Sequence, residues 1–139
     1  MRSSELPYEG DVKKYVEALK GALQPKLVLL YGSLARGTFG LGSDVDILVI
    51  SENLPKNPNK RLKLLYELDR THAPIDAKAY TPEEVKRMLL NGHPLIMDAL
   101  ADGKVLYADE DYLKELMAMF KVARRKFRRF ERGWIRIER

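Results

Sequence analysis

The sequence predicts an α/β fold, a small mixed sheet flanked by helices, from three observations. Two short runs, Leu27–Tyr31 and Ile47–Ile50, are continuously apolar, which is typical of strands buried on both faces. Apolar residues at helical spacing precede the first run and follow the second. The segment Thr81-Pro82-Glu83-Glu84 begins a further helix, because a capping residue is followed by proline and by acids in the first turn. Helices that interleave with strands predict a sheet with helices packed on it.

Each element follows from a local pattern. The predicted elements are, in chain order, a helix over Asp11–Leu23, a strand over Lys26–Tyr31, a short helix over Ser33–Arg36, a strand over Asp44–Ser51, a helix from Leu62 to about His72, a strand over Pro74–Tyr80, a helix from Thr81 that ends by Gly92, a short helix over Pro94–Leu100, a strand over Lys104–Tyr107 and a long basic helix from Asp109 to about Arg132. Asp11 and Ser33 are the predicted N-caps of the first two helices. Gly133 is the predicted stop of the last one.

The composition is that of an ordinary globular protein of one domain. The 139 residues are 45% hydrophobic and 32% charged, and none is cysteine, which excludes disulfides and thiolate metal sites. No apolar run approaches the roughly 18 residues that a membrane span requires. The N-terminal segment is polar and lacks the apolar core of a signal peptide. We therefore expect a cytoplasmic protein that does not associate with membranes.

The positive charge is concentrated at the C-terminus. The net charge is +5, and residues 121–139 alone hold nine Lys or Arg against two Glu. The remainder holds 16 basic and 18 acidic residues and is therefore nearly neutral. Any electrostatic attraction to a polyanion is thus expected from the tail.

A pair of acids and a Gly–Ser turn carry the strongest chemical prediction. Asp44 and Asp46 lie two residues apart in a predicted strand, so both carboxylates point to one side. Their mutual repulsion is relieved when a divalent metal binds between them, although such acids also cap turns. Gly32 and Ser33 end a buried strand and offer backbone N–H groups to phosphate, a geometry that an ordinary strand-to-helix turn shares. Together the two features predict metal-dependent phosphoryl or nucleotidyl transfer.

These residues also carry a family resemblance. Gly32-Ser33-Leu34-Ala35-Arg36-Gly37, followed by Ser43-Asp44-Val45-Asp46-Ile47, resembles the signature of the nucleotidyltransferase superfamily related to DNA polymerase β. More narrowly it resembles the minimal nucleotidyltransferases, over about Lys20 to Tyr107. The resemblance implies a polymerase-β-like fold in a nucleotidyltransferase domain over residues 1–108. Residues 109–139 would be part of the same domain or an extension that contacts a partner.

The resemblance also implies a third acid on a neighbouring strand, and Asp76 is the candidate. Ile75-Asp76-Ala77 places one acid in an otherwise apolar strand, and a buried carboxylate without a partner is costly. The alternative is an ion pair with Lys78 on the same face. The other acids considered, Asp69 and Asp98, lie on predicted helices without motif context.

The resemblance assigns roles to these residues. Asp44, Asp46 and Asp76 would bind two Mg²⁺ ions, and Asp76 would also receive the proton of the acceptor. Gly32 and Ser33 would hold the β- and γ-phosphates of an NTP. Arg36 would bind the triphosphate or lie in solvent, and Lys78 would approach phosphate or pair with Asp76. His72 and His93 lie beside prolines, and we assign them no role.

The implied activity is the transfer of a nucleoside monophosphate onto a hydroxyl. The expected donor is ATP, which would supply AMP. Minimal nucleotidyltransferases often act as antitoxins that adenylylate a HEPN-domain partner. Three alternatives remain open at this point. An RNA nucleotidyltransferase would explain the basic tail, but the chain lacks room for RNA-binding domains. A small-molecule adenylyltransferase would need an acceptor-binding domain. A non-catalytic module would neutralise a partner by contact alone and would have no need for three clustered acids.

The predicted C-terminal helix carries one apolar seam at 3–4 spacing. The seam consists of Leu113, Leu116, Phe120, Ala123, Phe127 and Phe130. It would pack on its own domain, or its distal aromatic part would contact a homo-oligomer or a protein partner. The basic face from Arg124 to Arg132 would be solvated or would meet RNA or an acidic partner.

Overall fold

A computed structural model describes residues 8–38, 40, 43–131 and 133–137, and it confirms the α/β class. The elements are α1 (Glu9–Leu23), β1 (Leu27–Tyr31), α2 (Gly32–Arg36), β2 (Val45–Ile50), α3 (Pro58–Leu68), β3 (Ile75–Tyr80), α4 (Pro82–Leu90), α5 (Pro94–Asp102), β4 (Lys104–Ala108), α6 (Glu110–Lys126), β5 (Phe127–Phe130) and β6 (Gly133–Arg136). The predicted order of helices and strands is therefore confirmed as far as α6. None of the described helices is long and apolar enough to cross a bilayer.

The main sheet is mixed and has the strand order β3-β2-β1-β4. Strands β2 and β3 are parallel, while β1 pairs antiparallel with both β2 and β4. The register places Asp46 opposite Tyr31 on one side and opposite Asp76 on the other. One end of the sheet therefore gathers the last residue of β1 and the first residues of β2 and β3.

Helices cover both faces of this sheet. Helices α4, α5 and α6 pack on the face that includes Leu48 and Ile50, and α1 and α3 pack on the opposite face. All five residues of β1 are consequently buried, which explains its uninterrupted apolar sequence. Each face has its own apolar core, and the polar residues at the strand ends lie beyond these cores.

The expectation of a helix to about Arg132 is wrong. Helix α6 ends at Lys126, and Phe127–Phe130 instead pairs antiparallel with Gly133–Arg136 as a β-hairpin. Extended backbone turns Phe127 and Arg129 to one face, where Phe127 is buried against Gly92 and Arg129 pairs with acids of α5. These tertiary contacts, which local spacing does not record, end the helix early. Arg132 itself lies outside the described residues.

Most of the predicted apolar seam packs on its own chain. Leu116, Phe120, Ala123 and Phe127 are buried in the core that α4 and α5 share, and Leu113 packs against it. Phe130 is 50% exposed on the hairpin. Of the two alternatives for the seam, contact with the chain's own domain holds for every member but Phe130. The basic side chains Arg124, Arg125 and Arg128 are exposed.

Two predicted caps are wrong and two helix starts are confirmed. Helix α1 begins before Asp11, after Tyr8 in a left-handed conformation, and Asp11 lies in its first turn. Helix α2 begins at Gly32, so Ser33 lies within it and does not cap it. Thr81 forms the full capping box with Glu84, and Asp109 caps α6 by accepting from two backbone N–H groups.

Candidate active site

Three carboxylates meet at the end of the sheet. Asp44 directly precedes β2, Asp46 lies on β2, and Asp76 is its register partner on β3. One carboxylate oxygen from each residue lies within 4.8 Å of the others. The Val45 N–H donates to the Pro74 carbonyl at 2.9 Å, which fixes the start of β2 against the start of β3. The structure therefore brings together the three acids that the sequence singled out.

The electrostatics of this cluster favour a bound cation. Burial raises the pKa of Asp46, and the negative charges of Asp76 and Asp44 raise it further, while Lys78 and Arg36 lower it. A cation held among the three carboxylates would offset this repulsion. Carboxylate oxygens are the ligands that hard divalent ions such as Mg²⁺ prefer, so the donor set fits such an ion.

Asp76 is less buried than the sequence indicated. Its side chain is 46% exposed, because β3 is an edge strand, and its carboxylate lies 3.2 Å from Lys78 Nζ. The expectation of a buried carboxylate without a partner is therefore wrong. Asp76 both pairs with Lys78 and adjoins Asp46, and its role as a metal ligand stays a prediction.

Gly32 is required by the shape of the site itself. Its φ of 76° lies in the left-handed region, and a Cβ at this position would collide with the Asp46 carboxylate. Gly37, directly after α2, has the same φ of 76°, but no described heavy atom lies within 4 Å of the place that a Cβ would take there. Gly32 is thus constrained by a neighbouring side chain, whereas Gly37 is constrained by its backbone alone.

The remaining predicted nucleotide residues flank the acids. Ser33 is the second residue of α2 and is half-buried, and Arg36 is its last residue and is exposed. The Arg36 charge lowers the pKa of both Asp46 and Asp102, so the guanidinium is near enough to both acids to affect them. A contact between Arg36 and the triphosphate stays a prediction.

Sequence reasoning missed Tyr31. It is the last residue of β1, it lies opposite Asp46, and its pKa is raised by burial and then by the charges of Asp46, Asp76 and Tyr80. Its hydroxyl therefore stays protonated beside the acids. A single aromatic hydroxyl at the end of an aliphatic strand, directly before the Gly–Ser turn, is the sequence feature that would have indicated it.

The two other acids considered for the third position have separate partners. Asp69 follows α3 and accepts hydrogen bonds from the Thr71 backbone and hydroxyl. Asp98 lies on α5 and accepts from Arg129 and from the Trp134 indole N–H. Neither belongs to the cluster of Asp44, Asp46 and Asp76.

A mixed sheet that presents three acids beside a Gly–Ser turn is typical of a nucleotidyl-transferring domain, and comparison with known proteins agrees. Residues 12–117 match the family described as "Nucleotidyltransferase domain". This match covers well over half of the chain, and the chain therefore belongs to the nucleotidyltransferase domain family.

Comparison with individual proteins gives matches of low to moderate sequence identity. The chain is 33% identical over 99 residues to "Putative protein adenylyltransferase MJ1305" of Methanocaldococcus jannaschii, a match that covers 68% of this chain and 66% of that protein. The match thus spans just under two thirds of the relative's length. A crystal structure described as that of "a putative nucleotidyltransferase from Sulfolobus solfataricus" superimposes with a TM-score of 0.53 at 20% identity, covering 73% of this chain and 80% of that one.

A second solved structure adds to the fold comparison. It is a toxin–antitoxin crystallised with AMP-PNP, with a TM-score of 0.50 at 21% identity, covering 81% of this chain and 88% of that one. At such identities these solved structures establish a shared fold.

Proposed function

We propose that this protein is a Mg²⁺-dependent nucleotidyltransferase that moves AMP from ATP onto a hydroxyl of a protein partner. The observation that carries the proposal is the meeting of Asp44, Asp46 and Asp76 within 4.8 Å, beside a turn whose glycine leaves room for Asp46. Membership of the nucleotidyltransferase domain family and a relative named as a protein adenylyltransferase support it.

The side chains divide between metal and nucleotide. Asp44 and Asp46 would hold two Mg²⁺ ions, and Asp76 would share one of them. When bound, these ions would offset the negative charge of the triphosphate and of the departing pyrophosphate. Gly32 and Ser33 would donate backbone N–H groups to the β- and γ-phosphates, and Arg36 would pair with the same phosphates.

The transfer step follows from the position of Asp76. The acceptor hydroxyl oxygen attacks the α-phosphorus, and the bond from that phosphorus to the bridging oxygen of the β-phosphate breaks. Pyrophosphate leaves with the electron pair, and the hydroxyl proton passes to the Asp76 carboxylate. The acceptor becomes an AMP ester, and ATP has lost pyrophosphate. Lys78, 3.2 Å from Asp76, holds this carboxylate in place.

For the partner we propose a HEPN-type toxin, with this protein as its antitoxin. Toxin–antitoxin structures with the same fold support the idea. Residues 109–139 would supply contacts to that partner or to a second copy of the chain. The outer face of the hairpin presents Phe130, Ile135 and Ile137, each at least half exposed, which is a suitable apolar surface.

The test follows the two ends of ATP separately. With Mg²⁺, ATP labelled at the α-phosphate should label a HEPN-type partner protein, whereas ATP labelled at the γ-phosphate should not. A readout without any partner is also available, because water can replace the hydroxyl and ATP then yields AMP and pyrophosphate. Asp46→Asn should abolish both the labelling of the partner and the hydrolysis of ATP to AMP. Asp69→Asn, which lies outside the cluster, should abolish neither reaction. Transfer of the γ-label, or ADP as the product, would overturn the proposal.

The exposed arginines of α6 and the hairpin support RNA as a second candidate acceptor. Arg124, Arg125 and Arg128 provide a dense positive surface on α6 and the hairpin. Binding of single-stranded RNA to this surface should weaken steeply as salt rises, because it releases counterions. Labelling of an RNA 3′ end by α-labelled ATP would favour this candidate over a protein acceptor.

A further inference from the structure

A polar pocket lies on the β3 side of the acid cluster and has no part in the site described so far. It has a volume of about 360 Å³. Its lining residues are Tyr80 at the end of β3, four residues of α4 and the turn after it, and the residue before α5, namely Tyr80, Glu84, Arg87, Met88, Asn91 and His93. Five of these six residues have polar side chains, which can fix the orientation of a polar ligand.

The pocket and the acid cluster share one face of β3. Side chains alternate along a strand, so Asp76, Lys78 and Tyr80 project from the same face. At about 3.3 Å per residue, Tyr80 lies roughly 13 Å along the strand from Asp76. Tyr80 packs against the apolar core that also contains Tyr31, the tyrosine opposite Asp46.

The geometry of the proposed transfer indicates that the acceptor enters on the β3 side of the acid cluster. In the proposed transfer the pyrophosphate leaves toward Gly32 and Ser33, at the end of β1. An in-line displacement requires the attacking oxygen to enter on the opposite side of the α-phosphate. The strand order β3-β2-β1 puts Asp46 between the β1 turn and β3, so the acceptor enters over Asp76 and β3.

The pocket offers one cation for an anionic group. Glu84 is already committed, because it accepts from the Arg61 guanidinium at 2.8 Å and from the Thr81 N–H. His93 uses Nδ1 to accept from the Leu95 N–H, which leaves Nε2 available. Arg87 is exposed, and among the described residues its side chain forms no ion pair. A guanidinium in this state is well suited to a bidentate contact with a carboxylate.

We propose that this pocket binds an acidic side chain of the protein acceptor, about four residues along the acceptor chain from the hydroxyl that is modified. The inference rests on the proposed function and names the substrate feature that its site recognises. Arg87 pairs with the acceptor carboxylate, and Asn91 and His93 hydrogen-bond to the neighbouring backbone. The roughly 13 Å from Asp76 to Tyr80 corresponds to four residues of an extended peptide. A polyanion such as RNA is disfavoured here because it would have to pass the three catalytic acids along its length.

The experiment uses unreactive peptide probes, so it does not depend on turnover. Fluorescein-labelled 13-residue peptides carry alanine at the position of the acceptor hydroxyl residue. One peptide has glutamate four residues to either side of this alanine, and the other has lysine at the same two positions. Affinities are measured by anisotropy with Mg²⁺ and α,β-methylene-ATP. Wild type should bind the glutamate peptide at least tenfold more tightly. Arg87→Glu should abolish or invert this preference, and Lys86→Glu, an adjacent exposed cation outside the pocket, should retain it.

Each other outcome is decisive. Equal affinity of wild type for the two peptides, or an unchanged preference in Arg87→Glu, would overturn the inference. Displacement of the glutamate peptide by a single-stranded RNA at lower concentration than by unlabelled peptide would also overturn it. The affinity for the ATP analogue is measured in the same samples. If wild type binds the analogue but shows no peptide preference, only the subsite inference fails, whereas loss of metal-dependent analogue binding means that the proposed function fails.

Discussion

The contact between Gly32 and Asp46 gives the sharpest single prediction. In Gly32→Ala the new Cβ would occupy the space of the Asp46 carboxylate, so this acid must move away from Asp44 and Asp76. The same residue has a φ of 76°, which a non-glycine residue adopts only at a cost. Two effects are therefore combined in one substitution, and the chain offers a control that separates them.

Gly37→Ala is the matched control. Gly37 has the same φ of 76°, but no described atom lies within 4 Å of its would-be Cβ. Left-handed backbone costs a non-glycine residue about 1–2 kcal/mol, so both variants should lose about that much free energy of unfolding. Only Gly32→Ala should also lose metal affinity. With one of three ligands displaced, we expect at least a tenfold loss, which corresponds to about 1.4 kcal/mol.

Two assays separate the effects. Urea denaturation reports the free energy of unfolding of each variant. Binding of Mn²⁺ alone, followed by electron paramagnetic resonance without nucleotide, reports the acid cluster independently of any phosphate contact to Gly32. If Gly32→Ala binds Mn²⁺ as tightly as Gly37→Ala does, the reasoning about Asp46 is refuted.

Three further predictions concern catalysis, the core and pH. Asp76→Asn should retain most of the affinity for Mg²⁺–ATP by calorimetry but lose AMP transfer, because Asp44 and Asp46 still hold metal; normal transfer would remove Asp76 from the mechanism. Phe127→Ala should lower the free energy of unfolding by about 3–5 kcal/mol, since the ring is buried, whereas exposed Phe130→Ala should change it by about 0.5 kcal/mol or less; equal effects in urea denaturation would argue against the hairpin. The hydrogen bond from Arg129 lowers the pKa of Asp102 in the folded protein. This carboxylate therefore stabilises the fold at pH values above its unfolded pKa of about 3.9, and the contribution is lost as the pH falls through the lower folded pKa. The stability difference between wild type and Asp102→Asn should therefore shrink as the pH drops below about 4, and a difference that grows in acid would contradict the pairing.

The sequence was most informative where structure depends on local chemistry. Strands β1 and β2 were predictable because burial on both faces demands an unbroken apolar run. The start of α4 was predictable because Thr81, Pro82 and Glu84 form a complete local capping unit. Asp44 and Asp46 could be predicted to lie close together because side chains two residues apart in a strand point to the same side of the sheet.

The failures arose where distant residues decide the outcome. The 3–4 spacing through Phe127 and Phe130 also fits a helix, and only contacts with Gly92, Asp98 and Asp102 favour the hairpin. The exposure of Asp76 depends on β3 being an edge strand, which no local pattern encodes.

The pocket beside β3 was beyond prediction for a similar reason. Arg87, Asn91 and His93 come from a helix and the turn after it, and each alone reads as an ordinary surface residue. Only the packing of α4 and Tyr80 on the same apolar core places them on the side from which the acceptor would enter. The position of Tyr31 beside Asp46 likewise follows from a strand register that local sequence does not record.

Calorimetric titration of ATP, with Mg²⁺ and with EDTA, tests the central claim that Asp44, Asp46 and Asp76 form a metal-dependent nucleotide site. The account predicts measurable binding with Mg²⁺, poor binding with EDTA, and no difference between the two conditions in Asp46→Asn. Equal affinity of the wild-type protein for ATP with and without metal would contradict it.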